Sequence, residues 1–359
     1  MPDTALPNAP RVVFVVIDSL PPRWLTPTVT PHLWSLAQRG GWHPAGATAV
    51  LSAATYPNHA SFVTGTEPVA HRVITNRVWD GDRFVKAHHV GPVGATVFDA
   101  CRAAGRSTGA VVGDHKLIGV MAAHRADRHW PPDGHLPEGA VRDEFRYAAD
   151  ATVLAAIDQT AVLDAQVAVL HLNEPDTACH LYGPDSPEAT ARFTATDAVL
   201  GAIVERLDWD HTVVIVVSDH DQEPVDDSEP VDLAALLVDA SAPGLVESDG
   251  TAAAVVDGPP LDELEGLDQV IGGRVIDDRI NLVWGHPGTV FGSQGYGLQG
   301  QHGSPRTARQ VAVVSGGHPA AADLAAAVTE LRPHATDWAP TLASLVGGEL
   351  PGATGRALV

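Results

Sequence analysis

Short, nearly unbroken apolar runs rich in β-branched residues punctuate this chain at residues 11–17, 108–112, 167–170, 212–217 and 311–314. Runs without polar alternation suit strands covered on both faces of a sheet. Between them lie segments with helical spacing: residues 31–39, 95–104, 142–158, 187–207, 320–331 and 336–345. The first of these opens with Pro31 after Thr30, where the fixed φ of proline suits a first helical turn. Alternating strands and helices predict an α/β fold, a three-layer sandwich whose largely parallel central sheet is flanked by helices. Residues 221–300 break the pattern. They are rich in Asp, Gly and Pro, with one candidate strand at 278–284 and a glycine-rich stretch at 292–303 that reads as a loop. Strong α/β patterning then resumes. The expected organisation is therefore a core of residues 1–220 and 301–359, with 221–300 as a smaller inserted cap.

Composition narrows the function classes. The 359 residues, 45% of them hydrophobic, suffice to bury a sizeable core. The net charge of −22 argues against binding nucleic-acid polymers or anionic membranes, which call for basic surfaces. A small anionic substrate stays compatible, because bound divalent ions reverse the field inside one cleft. Cys101 and Cys179 allow one disulfide but no disulfide scaffold. The N-terminal residues lack a basic segment followed by an apolar run, and no stretch is long and apolar enough to span a membrane. The expectation is a cytoplasmic protein. Nothing in the pattern specifies an oligomeric state.

Candidate chemistry sits where strands end. Asp18 follows the run at 11–17, and Asp219-His220 follows the run at 212–217. In open α/β sheets, ligands bind beyond the carboxyl ends of strands. A lone Asp there is more often a turn or cap residue, whereas an adjacent Asp-His pair is rarer. Asp176 and His180 are four apart after another apolar run, so a helix would place both on one face, as a zinc-type ligand pair requires. His302 is bracketed by Gly300 and Gly303, which permit close approach of the backbone. Thr55 opens a short helical segment framed by Pro57 and Gly65. At the N-cap or first turn it has free N–H groups around it, favourable to phosphate; a plain capping role is compatible with this.

In this order these segments resemble the alkaline phosphatase superfamily, and within it the nucleotide pyrophosphatase/phosphodiesterase (type I phosphodiesterase) group. Val15-Val-Ile-Asp18 is similar to the first metal-binding Asp block. Thr55-Tyr-Pro-Asn-His59 is similar to the nucleophile motif, and Glu174-Pro-Asp-Thr-Ala-Cys-His180 to the block that carries a second metal. Ser218-Asp-His220 and His302-Gly303 are similar to the remaining ligand blocks. His71-Arg-Val-Ile-Thr-Asn76 resembles the segment whose Asn contacts a phosphoryl oxygen, and residues 335–346 resemble the closing helix.

The resemblance implies a role for each residue. Asp176, His180 and His302 hold one divalent ion. Asp18, Asp219 and His220 hold the other, with the Thr55 oxygen as a further ligand. Zinc is the usual metal for such mixed ligands. Thr55, activated by coordination, attacks phosphorus and forms a phospho-threonine, while Asn76 donates to a non-bridging oxygen. The implied substrate is a small phosphate ester, a nucleotide among the candidates.

Departures from the family pattern fall around the substrate. His171 stands where the family has a base-stacking Tyr, although Tyr56 keeps an aromatic beside the nucleophile. Cys179 replaces Gly, Asp221-Gln222 replaces Gly-Met, and Arg72 replaces Gly. Lys116 lies where related phosphonate hydrolases use lysines to hold a second anionic group. A phosphonoacetate-type carbon–phosphorus hydrolase and a phosphomonoesterase are therefore the rival enzyme readings. A sulfatase is disfavoured, because no C-x-P-x-R or S-x-P-x-R segment occurs at the nucleophile. A non-catalytic metal-binding relative is disfavoured because every ligand-type residue is present.

Overall fold

Alternate residues of the first apolar run face opposite ways. In β1 (Arg11–Ile17), Val12, Phe14 and Val16 join one core cluster, and Val13, Val15 and Ile17 join another. A strand with both faces covered requires this division. The computed structural model describes residues 9–226, 230–240, 242, 244–248, 251–292 and 297–359. The further strands that matter here are β2 (Gly41–Trp42), β3 (Thr108–Val112), β4 (Arg128–Trp130), β5 (Val167–Leu172) and β6 (Thr212–Val217). They continue with β7 (Leu245–Glu247), β8 (Ala253–Asp257), β9 (Val270–Val275), β10 (Ile280–Gly285) and β11 (Ala312–Gly316).

The central sheet is seven-stranded, in the order β2-β11-β6-β1-β5-β3-β4. From β6 to β4 every pairing is parallel, and β11 and β2 close one edge antiparallel. Helices cover both faces. On one side are α2 (Thr55–Thr64), α3 (Val97–Ala103), α7 (Pro319–Leu331) and α8 (Trp338–Leu345), which contribute Phe62, Phe98, Leu324 and Trp338 to the first cluster. On the other are α1 (Pro31–Arg39), α4 (Asp150–Thr160) and α6 (Pro187–Val204), which contribute Leu33, Ile157 and Phe193 to the second. The expected three-layer α/β sandwich is thus the observed fold.

A second, antiparallel sheet, β7-β8-β10-β9, forms within the segment that breaks the α/β pattern. One of its faces packs Ala254, Val256 and Val283 with Leu233 and Leu237. The other packs Val255, Ile280 and Leu282 with Ile74, and against Leu51, Trp79 and Phe84. The candidate strand at 278–284 corresponds to β10; of its partners, β8 is an apolar run of only four residues before Asp257, and Gly272-Gly273 interrupts β9.

Several element boundaries differ from expectation, each for a local reason. The helix expected over 142–158 begins only at Asp150. Ahead of it, the Asp143 carboxylate accepts from the Tyr147 N–H, Arg142 pairs with Ala148, and Arg146 adopts φ +70°. A short side chain that bonds its own backbone competes with helix formation. The helix expected from 95 begins at Val97, where Thr96 and Asp99 form a reciprocal cap. Within the loop expected at 292–303, residues 293–296 lie outside the described residues, and Gly300–Gln301 forms a two-residue strand with Glu223–Pro224. Cys101 and Cys179 are both free and buried, so the disulfide that two cysteines allow is not formed. Among the described residues no helix is long and apolar enough to cross a membrane.

Candidate metal centre and phosphoryl site

The carboxyl ends of four adjacent parallel strands, β3, β5, β1 and β6, open onto one place. β1 delivers Asp18 and Ser19, and β6 delivers Ser218, Asp219 and His220. β5 leads through Asn173 into α5 (Glu174–Tyr182), and β3 leads to Asp114. Pro175 in its first turn starts α5, so Asp176 and His180 lie one turn apart on the same face, with His180 Nε2 3.3 Å from Asp176 Oδ1.

Thr55 is the first residue of α2, with Ala54 extended before it. The neighbouring motif residues build this turn. Asn58 accepts from the Val50 N–H through Oδ1 and donates to the Ala54 carbonyl through Nδ2, at 2.9 Å each. His59 donates through Nδ1 to the Thr55 carbonyl at 2.8 Å. Gly65, at φ +68°, ends the helix, and a Cβ there would press on Pro340 and Ala353 at 2.9 Å.

His220 joins the candidate ligands. Its Nε2 lies 3.2 Å from Thr55 Oγ1, 3.2 Å from Asp219 Oδ2 and 3.6 Å from Asp18 Oδ1. Its ring stacks on His302 with centroids 4.0 Å apart. Potential donor atoms converge in two groups, Asp18/Asp219/His220 and Asp176/His220/His302. His180 adjoins the second group, with its ring 5.1 Å from that of His302. Its Nδ1 donates to the Gly300 carbonyl at 2.8 Å, which leaves Nε2 facing Asp176.

The donor set fits cations. Asp18 Oδ1, Asp219 Oδ2 and His302 Nδ1 are buried and have no hydrogen-bond partner among the described residues. Such orphaned atoms are costly unless an ion satisfies them. Burial, reinforced by the Asp219 and Asp176 charges, pushes the Asp18 carboxyl well above its usual range. Burial also raises Asp176, but the charge of His180 and its hydrogen bond, the leading opposing causes, outweigh it and hold that carboxyl well below its usual range. Burial, then His220 and His180, lowers His302, which is therefore neutral and free to donate a lone pair.

Two carboxylates are held from behind by residues at which the chain departs from the family pattern. His171 does not line the cavity, contrary to its expected place in a substrate wall. Wholly buried at the end of β5, it donates through Nε2 to Asp18 Oδ2 at 2.9 Å. Its Nδ1 accepts the Asp114 N–H at 3.4 Å, which fixes the tautomer, and burial keeps the ring neutral. Gln222 Nε2 donates to Asp176 Oδ1 at 2.7 Å, and Ser19 Oγ donates to the same oxygen at 2.8 Å. Partners of this kind orient metal ligands.

A cavity of about 110 Å³ adjoins this centre, lined among others by Thr55, Tyr56, Asn76, Asp114, Phe145, Tyr147, Asp176, His180 and His302. Tyr56 and Asn76 stand in its wall. Lys116 does not line it; its Nζ sits 5.2 Å from the Tyr147 ring centre. Asp114, Phe145 and Tyr147 were missed from sequence. Phe145 and Tyr147 lie in the segment misread as helix, and Asp114 looks like an ordinary turn residue.

Known proteins place these features in context. The sequence model described as type I phosphodiesterase / nucleotide pyrophosphatase matches residues 12–284. An uncharacterised pyrophosphatase/phosphodiesterase of Schizosaccharomyces pombe is 25% identical over 229 residues, covering 60% of this chain and 46% of that protein. Human ectonucleotide pyrophosphatase/phosphodiesterase family member 5 is 24% identical over 227 residues, covering 60% and 45%. The chain thus spans about half the length of the curated relatives it matches. Among solved structures, an inactive variant of murine ectonucleotide pyrophosphatase/phosphodiesterase 5 in complex with AMP superposes with a TM-score of 0.73 at 18% identity, covering 97% of each chain. Phosphonoacetate hydrolase of Sinorhizobium meliloti 1021 in complex with phosphonoformate gives 0.68 at 17% identity, covering 94% of this chain and 96% of that one. These likenesses share the fold, and the sequence model over residues 12–284 supplies the lineage: the chain belongs to the type I phosphodiesterase / nucleotide pyrophosphatase family.

Proposed function

We propose that the protein hydrolyses phosphate diesters or phosphoanhydrides through Thr55, with two zinc ions held by Asp18, Asp219 and His220 and by Asp176, His180 and His302. The observation that carries this reading is the Thr55 hydroxyl, at the start of α2, 3.2 Å from His220 Nε2, the nitrogen that itself lies within 3.6 Å of the buried, unpartnered Asp18 Oδ1 and Asp219 Oδ2. When bound, the ions lower the pKa of the Thr55 hydroxyl and offset the charge of the phosphoryl oxygens.

The chain's own residues do the rest. Asn58 and His59 fix the turn that aims Thr55. The Thr55 oxygen attacks phosphorus, the ester or anhydride oxygen departs, and water later cleaves the phospho-threonine. Asn76, in the cavity wall, donates to a non-bridging oxygen as charge builds there. His171 and Gln222 keep Asp18 and Asp176 in one orientation throughout.

The test is a substrate panel of bis-nitrophenyl phosphate, nitrophenyl phosphate and phosphonoacetate, run with metal analysis and with Thr55→Ala. The reading expects near two equivalents of zinc, preference for the diester, and a Thr55→Ala protein that keeps its metal but does not turn over. An active Thr55→Ala protein removes Thr55 as nucleophile; preference for phosphonoacetate transfers the assignment to the carbon–phosphorus hydrolase reading.

A further inference from the structure

Most of the candidate metal ligands have a fixed partner behind them. His171 holds Asp18 Oδ2, the Ser19 N–H holds Asp219 Oδ1, and Gln222 holds Asp176 Oδ1. Carbonyls take the Nδ1 protons of two imidazoles, that of Asp221 for His220 at 3.2 Å and that of Gly300 for His180 at 2.8 Å. His302 differs. Its ring is buried, stacks on His220 and approaches the Ala53 backbone, yet its Nδ1 has no hydrogen-bond partner among the described residues. A metal-bound imidazole ordinarily takes its orientation from a group on its other nitrogen. Here the chain on either side of the ring has to supply it.

One carboxylate grips that chain from both sides. Gln301, wholly buried, donates through Nε2 to Glu223 Oε1 at 2.8 Å, and Ser304, also wholly buried, donates through Oγ to the same oxygen at 3.3 Å. Gln301 pairs with Glu223 through the backbone as well. Arg306 in turn fixes the carboxylate with a fork, Nη2 to Oε1 and Nε to Oε2, both at 2.8 Å. Paired bonds of this kind set direction as well as strength. The third nitrogen of the guanidinium, Nη1, donates to the Gly285 carbonyl at the end of β10 at 3.2 Å, and the Ala252 N–H, just before β8, donates to the His302 carbonyl at 2.9 Å. The antiparallel sheet therefore meets the His302 segment both directly and through Arg306.

Glu223 and Arg306 line a second cavity, of about 480 Å³, which shares no lining residue with the Thr55 cavity among the described residues. Substituting the pair thus leaves the wall around Thr55 unaltered. We infer that the Glu223–Arg306 pair positions the His302 ring and so governs the affinity of one ion, that of Asp176, His180 and His302, with far less effect on the ion of Asp18, Asp219 and His220. The inference rests on the two-ion reading of the site and adds the residues that make the two ions separable.

The experiment titrates zinc into the metal-free full chain against a chromophoric chelator, so that the two binding steps are resolved. His302→Ala identifies the step that belongs to Asp176 and His180 by removing it. Glu223→Gln keeps the size of the side chain and removes the charge that the fork grips. It is expected to weaken that step by on the order of tenfold and to leave the other step in place. Arg306→Met is expected to do the same, and the double variant to be no worse than either single one, because each substitution breaks the same pair. Equal weakening of both steps, or of neither, overturns the positioning role and leaves the two-ion reading standing. Additive losses in the double variant show that the two residues act apart and also overturn it. A wild-type protein that binds no zinc removes the two-ion reading and this inference with it. If Glu223→Gln does not fold, Arg306→Met, at the more exposed member of the pair, carries the test alone.

Discussion

Replacing Asp150 with asparagine isolates a pH-dependent load on the segment that carries Asp176 and His180. Asp150 opens α4 but is wholly buried. Its Oδ1 accepts the N–H groups of Asn173, at 3.0 Å, and Glu174, at 3.4 Å, the residues that lead into α5; its Oδ2 accepts from Thr196. Burial, opposed by the Thr196 bond and helped by the Glu174 charge, raises its pKa to about 7. In the unfolded chain an Asp titrates near 3.9. The folded value is the higher, so the native state holds the extra proton. The resulting stabilisation is complete below the unfolded pKa and is lost as pH rises through about 7. Between pH 5 and pH 8 the loss amounts to about 3 kcal/mol. The asparagine keeps an oxygen for the two N–H groups and does not titrate. Urea unfolding of both proteins with chelator present, followed by tryptophan fluorescence, should show the wild type losing about 3 kcal/mol relative to Asp150→Asn from pH 5 to pH 8. Parallel profiles, within about 0.5 kcal/mol, refute the argument.

Other consequences are as direct. His171→Phe removes the N–H that holds Asp18 Oδ2, so zinc affinity should fall by about 10- to 100-fold in a competition titration against a chromophoric chelator; an unchanged affinity refutes the positioning role. Gln222→Leu removes one of the two donors that hold Asp176 Oδ1, leaving Ser19, and should weaken metal retention in the same assay, with Gln222→Glu failing to restore it because a carboxylate has no N–H to donate. Chelation should abolish turnover of bis-nitrophenyl phosphate, and added zinc should restore it; activity that survives full removal of metal, verified by elemental analysis, contradicts the metal centre. Phe193→Ala empties a fully buried site beneath α6 and should cost about 3–5 kcal/mol in urea unfolding while leaving the zinc content of the folded protein unchanged.

The legible parts of this site were those in which one residue and its immediate neighbours carry the information. Asp18 and Asp219-His220 stand directly after runs that only a buried strand explains, and the spacing of Asp176 and His180 needs nothing beyond one helical turn. His171 misled because a residue at a strand end can face either the cavity or the neighbouring strand. Its register opposite Val16 in β1 decides this, by bringing it beside Asp18. The Phe145/Tyr147 turn was illegible because its stability depends on Asn173 and Thr177, remote in sequence, satisfying Asp143.

By itself, the sequence determined the three-layer α/β architecture, because β-branched runs with no polar alternation are stable only when both faces are covered. It also determined which residues end those strands, and hence which carboxylates and imidazoles are available to a metal. Tertiary structure alone decided what those residues face. Strand order places β3, β5, β1 and β6 side by side, so that Asp114 and Asp176 come from far apart in the chain to line one cavity while Asp18 and Asp219 meet at His220 beside it. It also brought Asp114, Phe145 and Tyr147 into the cavity that Thr55 lines, since contacts of this kind depend on register, crossover and a turn held by distant hydrogen bonds, none of which leaves a periodic trace in the chain.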